Sequence, residues 1–358
     1  MAGEPVVTRR IERLRAEMER LGAQSFLVTN PVNVRYLSGF ESSNAALLAR
    51  ADSTLLLTDG RYQEAARQVE GVELVTADRG LLEDIGGRLR ELGEGPVAFE
   101  ADHVTVAGHE ALSADGTGLV PAKGVVSRLR SVKDDEELDT IRRAARIADE
   151  AYQRLAREQL VGRSEAELAW TMERFLHEEG AEAPAFPTIV ASGPNAALPH
   201  HHPGDRRVEA GETVIVDAGA RVDGYCSDCT RTFATGALPD DLRRAYALCR
   251  ATQEHALGSV VAGASARQVD ADARAEIEES GVAPVLHGLG HGVGLEVHEL
   301  PVFRPTSTDT LERGHVVTVE PGVYLAGRGG VRIEDLAVVT DVAADVLSSF
   351  TKDLLTLD

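Results

Sequence analysis

The sequence predicts two domains, an α/β domain over residues 1–125 and an α+β domain over residues 126–358. The chain has 358 residues, which is more than one hydrophobic core normally supports. Short apolar segments alternate with helical patterns in the first third, as in α/β domains. Residues 133–158 then form one long helical pattern with acids first and bases later, the order that the helix dipole favours. We place the domain boundary just before this helix, near Gly124.

The first domain begins with an amphipathic helix over residues 8–22. Its apolar positions recur at spacings of three and four: Ile11, Leu14, Met18 and Leu21. Buried strands are predicted at SFLV, ALLAR, STLLLTDG, VELVTA and PVAFEAD, and helices between them at YQEAARQV and LLEDIGGRLREL. This alternation predicts a sheet with at least partly parallel pairing.

Charge and composition exclude several classes of partner. The chain carries 58 acidic against 37 basic residues, a net charge of -21, and nucleic acids and anionic membranes require clustered Lys and Arg instead. No run of about eighteen apolar residues occurs, and the charged first residues lack the apolar stretch of a secretory signal. Three cysteines do not suit a disulfide framework. We therefore expect a cytoplasmic protein without nucleic-acid or membrane partners.

Two acids in the second domain are predicted to face each other across a hairpin. Asp217 ends the apolar run TVIV, and Asp228 lies within GYCSDCTRTF. A hairpin that turns about Val222 and Asp223 would place the two carboxylates directly opposite. Opposed like charges destabilise a sheet, and a cation between them removes that cost.

The same pattern recurs near the C-terminus. Glu320 follows the strand-like HVVTV, Glu334 follows GVRI, and a hairpin centred on Gly327 sets the two acids opposite each other. One such pair is compatible with a solvated sheet edge. Two pairs, each at the end of a strand rich in Val, Ile and Thr, indicate a site, because acids are rarely buried without a partner.

The glycine-rich segment HGLGHGVGLEVHE, residues 287–299, supplies a nitrogen ligand. His287 and His291 are four residues apart, as in a helical zinc pair, but glycine at every second position disfavours a helix. An extended strand is expected instead, with one of these histidines as a metal ligand. Four carboxylates and one imidazole suit two divalent ions, Mn²⁺ first, then Co²⁺ or Zn²⁺. A water shared by such ions becomes a nucleophile near neutral pH, which indicates a hydrolase.

These motifs together resemble the pita-bread metallopeptidases, whose metal ligands occur in the order Asp, Asp, His, Glu, Glu. The resemblance implies a pita-bread fold for the second domain. It also implies that Asp217 binds one ion, that His291 and Glu320 bind the other, and that Asp228 and Glu334 bridge them.

Further positions resemble the proline-specific branch of that family. His200, in ASGPNAALPHHH, matches a histidine that handles protons, although an exposed loop histidine is the alternative interpretation. His298, in LEVHE, matches one that contacts the substrate, and Arg332, in VRIED, matches an arginine beside the last ligand. NPVNVRYLSGF and LLLTDGRYQEAA resemble the creatinase-type N-terminal domain. The resemblance implies a proline-containing di- or oligopeptide substrate and a homodimer.

Two substrate classes remain open within this interpretation. The enzyme would cleave the Xaa-Pro bond at the N-terminus of longer peptides, as an aminopeptidase, or that of Xaa-Pro dipeptides, as a prolidase. The segment FESSNAALLA favours the aminopeptidase. A catalytically silent protein that only binds peptides or partners is the alternative from another class, and the intact ligand set argues against it. Trp170 is predicted to pack in the core and His315 to lie at the surface.

Overall fold

The first compact unit of the chain ends at Arg130 in the computed structural model, which describes residues 6–357. Its helices are α1 (Val6–Leu21), α2 (Pro31–Ser38), α3 (Gln63–Ala66), α4 (Leu81–Gly87), α5 (Leu89–Leu92) and α6 (Val106–Leu112), and α7 (Val125–Ser131) follows them. Its strands are β1 (Ser25–Val28), β2 (Ala45–Arg50), β3 (Thr54–Thr58), β4 (Glu73–Thr76), β5 (Val97–Glu100) and β6 (Leu119–Ala122). The division between the units falls inside α7, at whose first residue the predicted boundary lies.

The six strands of this unit form one mixed sheet in the order β4-β3-β2-β1-β5-β6. β1 pairs in parallel with β5, β5 with β6, and β3 with β4, whereas β2 runs antiparallel to both of its neighbours. Leu27, Leu48 and Leu57 are buried in the core that α4 and α6 cover. The predicted α/β alternation with partly parallel pairing is confirmed.

The second unit begins at Ser131 and mixes helices with antiparallel strands. Its helices are α8 (Asp135–Leu155), α9 (Glu165–Glu178), the 3₁₀ helix η1 (Gly193–Ala197), α10 (Asp240–Gly258) and α11 (Ala266–Glu279). Its strands are β7 (Ala183–Pro184), β8 (Ile189–Ser192), β9 (Thr213–Asp217), β10 (Ala220–Val222), β11 (Tyr225–Cys226), β12 (Thr230–Ala234), β13 (Gly290–Gly292), β14 (Glu299–Phe303), β15 (Val316–Val319), β16 (Gly322–Leu325), β17 (Gly329–Arg332), β18 (Asp335–Val338) and β19 (Asp345–Val346).

The strands of this unit form four antiparallel sheets, which carry or adjoin the five predicted metal ligands. Their strand orders are β12-β9-β8, β11-β10-β7, β14-β13-β15-β18-β19 and β16-β17. The long helix predicted over residues 133–158 is α8, which starts after a capping box formed by Asp134 and Glu137. The hydroxyl of Tyr152 on α8 lies 2.7 Å from the carbonyl oxygen of Cys229, so the helix packs on the strands that lead to the site.

One of the two predicted hairpin registers is confirmed and the other is wrong. Gly322 pairs with Arg332 and Val319 with Asp335, so the hairpin is centred on Gly327 as predicted. In the first hairpin, by contrast, Asp217 pairs with Thr230 rather than facing Asp228. The turn there consists of Asp223 and Gly224, which both have positive φ, as in the two-residue turns that an Asp-Gly pair favours. Asp228 therefore lies diagonally from Asp217, on the same face.

Two single-residue predictions are wrong as well. Trp170 is 70% exposed, on the outer face of α9, and His315 is 4% exposed. The Nδ1 atom of His315 accepts a hydrogen bond from the backbone N–H of Glu312, which gives the buried ring a polar partner. All three cysteines are free and buried. Within residues 6–357, none of the helices has the length and apolarity that a membrane span requires.

A buried arginine connects the strands that carry the site to the C-terminal segment. The Arg231 guanidinium on β12 is almost fully buried and donates to the carboxylate of Asp335 at 2.8 Å and to the carbonyl oxygen of Phe350 at 2.6 Å. It also donates to the carbonyl oxygen of Glu334. Its loss would leave these buried acceptors without a donor.

We expect Arg231→Met to lower the free energy of unfolding by about 3 kcal/mol, as for a broken buried ion pair. Urea unfolding measures this value. Arg243→Met is the matched control, because Arg243 makes an exposed ion pair with Asp240, and its cost should stay within about 0.5 kcal/mol. Equal losses in the two variants would contradict the role given to Arg231.

Candidate metal centre

The five predicted ligands come together at the ends of the site strands. Asp217, Asp228 and Glu334 each present a carboxylate oxygen, and these atoms all lie within 4.8 Å of one another. The Nε2 atom of His291 lies 3.8 Å from Asp228 Oδ2 and 3.2 Å from Glu320 Oε1. The structure thus forms one cluster from two pairs of acids and a histidine that are distributed over residues 217–334.

Two oxygen atoms of this cluster are buried without a hydrogen-bond partner among the described residues: Asp217 Oδ1 and Glu334 Oε1. The second oxygen of each acid is engaged, since Asp217 accepts from Arg332 Nη2 and Glu334 accepts from the Thr230 hydroxyl, both at 2.7 Å. A buried, unpaired acceptor is costly. Divalent cations would satisfy both oxygens, so the donor set fits a metal centre.

The charges of the cluster are unevenly stabilised. Burial and the neighbouring carboxylates raise the pKa of Asp228 and of Glu334 well above the usual range, and burial also raises the pKa of Asp217. Burial by itself would raise the pKa of Glu320, but the hydrogen bond and the charge of His291 lower it to about 2. Without a cation, the cluster therefore disfavours full ionisation.

Glycines let the His291 strand approach its neighbours closely. A Cβ atom on Gly290 would lie 2.2 Å from the carbonyl oxygen of Thr318, and one on Gly292 would lie 2.1 Å from that of Leu300. The predicted extended strand is confirmed over residues 290–292, which form β13, whereas the chain bends over residues 294–298. Side chains beside His291 would push apart the strands that deliver it and Glu320 to the cluster.

Arg332 connects the cluster to a tyrosine and, through it, to a second histidine. It donates to Asp217 and, through Nη1 at 3.1 Å, to the hydroxyl of Tyr324. The Tyr324 oxygen also lies 2.8 Å from His287 Nε2, whose ring binds the Gly288 carbonyl oxygen through Nδ1. Since Nδ1 must donate to that carbonyl, Nε2 of the neutral ring accepts a hydrogen bond from the Tyr324 hydroxyl. Sequence reasoning did not identify Tyr324.

Of the two histidines that the resemblance assigned to substrate and proton handling, His298 lies beside the cluster, and His200 follows Pro199, whose carbonyl oxygen accepts from Arg332 Nη1 at 3.1 Å. The ring of His298 is 4.3 Å from the ring of His291, edge to face. His200 is exposed in the loop after η1. Burial lowers the pKa of both His287 and His298, and the charge of Arg332 lowers that of His287 further, as the charge of His291 does for His298. The site therefore contains imidazoles outside the metal-ligand set.

Comparison with known proteins identifies the family. Residues 139–341 match metallopeptidase family M24, and residues 10–132 match the creatinase/prolidase N-terminal domain. The chain belongs to metallopeptidase family M24. It is an M24 peptidase with two domains, a creatinase-like one followed by a pita-bread catalytic one, and enzymes of this family use divalent metal ions.

Solved and curated relatives of this M24 enzyme cover nearly its whole length. A Xaa-Pro dipeptidase from Bacillus anthracis is 36% identical with a TM-score of 0.93, over 98% of this chain and 100% of that one. An X-Pro aminopeptidase from Thermotoga maritima is 32% identical with a TM-score of 0.89, over 97% and 99%. A Xaa-Pro dipeptidase from Pyrococcus furiosus is 32% identical over 97% of this chain and 99% of its own.

We expect Mn²⁺ to raise the melting temperature of the protein and a chelator to lower it. Metal at about 100 times its Kd adds about 2.7 kcal/mol to the stability of the state that binds it. Asp139→Asn, on the exposed face of α8, should respond to metal as the wild type does. Melting curves that are indifferent to Mn²⁺ and to chelator would count against the site.

In the metal-free protein, the substitution Asp228→Asn should raise the stability of the fold. Because the folded-state pKa of Asp228 is raised, its ionisation costs stability as the pH rises from about 4. Metal-free Asp228→Asn should therefore gain stability over metal-free wild type between pH 4 and pH 7, and Mn²⁺ should reverse that order. The same wild-type-to-variant difference at both pH values would contradict the buried-charge account.

Proposed function

We propose that the protein hydrolyses the bond between an N-terminal residue and proline, with Xaa-Pro dipeptides as its main substrates. The observation that carries the proposal is the acid cluster with its two unpartnered oxygens, in a chain that aligns end to end with Xaa-Pro peptidases. Longer Xaa-Pro peptides are the second candidate, which the sequence favoured. Relatives named dipeptidases, at 36% and 32% identity, support the dipeptide, and the X-Pro aminopeptidase supports the alternative.

The site residues divide into metal ligands and groups that act on substrate. In this proposal Asp217 would hold one ion, His291 and Glu320 would hold the other, and Asp228 and Glu334 would serve both. Mn²⁺ suits the oxygen-rich set best, followed by Co²⁺ or Zn²⁺. When bound, two such ions lower the pKa of a water and polarise a carbonyl.

The remaining polar residues supply orientation and proton transfer. Arg332 donates to Asp217 Oδ2 and thereby leaves Oδ1 facing the cluster. His298, beside His291, is proposed to donate to the substrate carbonyl oxygen as negative charge develops there. His200, exposed to solvent, is proposed to exchange protons between the reacting groups and water.

A site dedicated to proline follows from the chemistry of the bond. The prolyl nitrogen has no N–H, so peptidases that bind that donor cannot use it. The tertiary amide also populates both cis and trans forms, and a shaped pocket can select one of them.

The assembly and location of the protein belong to the same proposal. Its resemblance to proline-specific peptidases leads us to propose a homodimer. Three free, buried cysteines suit a reducing cytoplasm.

We expect a Xaa-Pro dipeptide to be cleaved with a higher kcat/KM than the matching Xaa-Pro-Yaa tripeptide, each assayed with Mn²⁺. A dipeptide Xaa-Ala serves as the control and should resist cleavage. Faster turnover of the tripeptide would favour the aminopeptidase, and cleavage of Xaa-Ala at the same rate would overturn the proline specificity.

The three histidines should fail differently when each is replaced by Ala. His291→Ala should lose bound metal along with rate, because it removes a ligand. His298→Ala should keep its metal and lose about 10² to 10³ in turnover, as for a donor to a developing oxyanion. His200→Ala should keep its metal, lose about 10² to 10⁴ and change the pH–rate profile. Elemental analysis and pH–rate curves of the three variants test these roles. Loss of metal in His298→Ala or His200→Ala, with metal retained in His291→Ala, would contradict the assignment.

A further inference from the structure

A fully buried carboxylate in the second unit binds the loop that carries His200. Glu165, the first residue of α9, is 0% exposed. One of its oxygens accepts from the backbone N–H and the hydroxyl of Ser192, both at 2.8 Å. The other accepts from His201 Nε2 at 2.7 Å and from the backbone N–H of Gly204 at 3.4 Å, and both contact the amide of Asn195. These donors lie between Ser192 and Gly204. We call residues 192–206 the His200 loop.

Further bonds close the His200 loop at its base. The backbone N–H groups of Glu165 and Ala166 donate to the carbonyl oxygens of Arg206 and Gly204, both at 3.0 Å. Arg206 Nη1 in turn donates to the Ser192 hydroxyl at 2.7 Å. The two ends of the loop therefore converge on the first turn of α9, with the Glu165 carboxylate between them.

His200 lies between two anchored residues. The carbonyl oxygen of Pro199 accepts from Arg332 Nη1 at 3.1 Å, and His201 is bound to Glu165. We propose that Glu165 is a positioning residue, which acts through His201 and the loop backbone to hold His200 beside the metal cluster. This inference rests on the proposed function, in which His200 transfers protons.

The charge state of Glu165 agrees with this role. Burial by itself would raise its pKa, but the hydrogen bonds from His201, Ser192 and Asn195 lower it below the usual value. Glu165 is therefore an ionised acceptor, and the Nε2 atom of His201 must carry the proton that it donates. Glu165→Gln keeps the shape of the side chain but replaces one accepting oxygen with an NH₂ group, which cannot accept these bonds.

The test compares Glu165→Gln with Glu167→Gln. Glu167 caps the same helix by accepting from the Ser164 backbone N–H, and its side chain is 54% exposed. Turnover of a Xaa-Pro dipeptide with Mn²⁺, metal content, and hydrogen exchange of residues 192–206 in the metal-free protein are measured for each. A second pair keeps or removes the donor at the other end of the bond: His201→Gln and His201→Phe.

We expect Glu165→Gln to lose about 10²-fold in kcat, the cost of a misplacement of about 1 Å, with little change in KM and both ions retained. Exchange in the His200 loop should accelerate, and Glu167→Gln should resemble the wild type in every measurement. His201→Phe should follow Glu165→Gln, and His201→Gln should recover much of the rate. Added to His200→Ala, the Glu165→Gln change should cost almost nothing more, because both act through one residue.

Folded Glu165→Gln with wild-type kcat and unchanged loop exchange would overturn the inference, as would a full additive loss in the double variant. If Glu165→Gln does not fold, His201→Phe with wild-type kcat and exchange overturns it equally. A wild-type protein that leaves Xaa-Pro peptides intact would refute the proposed function instead, and the exchange measurements would still test the hold of Glu165 on the loop.

Discussion

The burial of like charges is the constraint on which the second unit depends. Asp217, Asp228 and Glu334 are brought together by strands whose other residues form the core, and two of their buried oxygens have no donor among the described residues. Arg332 binds one oxygen of Asp217 and Thr230 binds one oxygen of Glu334, and the second oxygen of each acid is the one that has no partner. Since an isolated buried carboxylate is strongly disfavoured, this geometry favours the binding of cations.

Glycines allow the strands that carry the ligands to approach each other more closely than residues with a Cβ atom would permit. Gly290 and Gly292 flank His291 because the carbonyl groups of neighbouring strands occupy the space of a Cβ atom. In the hairpin that carries Asp217 and Asp228, a Cβ atom on Gly219 would lie 1.9 Å from the carbonyl oxygen of Ser227, the residue before Asp228. The glycines of these motifs thus serve close packing around the ligands more than turning of the chain.

Local patterns predicted the parts of the structure that local chemistry decides. The hairpin about Gly327 was predicted with its register, because its flanking strands are symmetric and the glycine marks the centre. The other register was misplaced by centring the turn on Val222 and Asp223, although the Asp-Gly pair fills both central positions. The support residues Glu165 and Tyr324 were not predicted. Glu165 binds Ser192 and Gly204, 27 and 39 positions away, and Tyr324 contacts His287, 37 positions away, so that only the tertiary fold brings these residues together.

Two kinds of buried carboxylate can be separated by their partners. Glu165 is surrounded by protein donors, and Glu299, which follows His298 directly, is paired with the buried ammonium group of Lys133 at 3.0 Å and accepts from the Glu296 backbone. Each holds a segment that carries a site histidine. In the metal cluster, Asp217 and Glu334 each keep a buried oxygen without a hydrogen-bond partner among the described residues, and the pKa of each is raised, whereas that of Glu165 is lowered. Buried acids whose charge is compensated by protein donors, such as Glu165 and Glu299, therefore position segments of the site. Buried acids without such compensation are the ones that suit a bound cation.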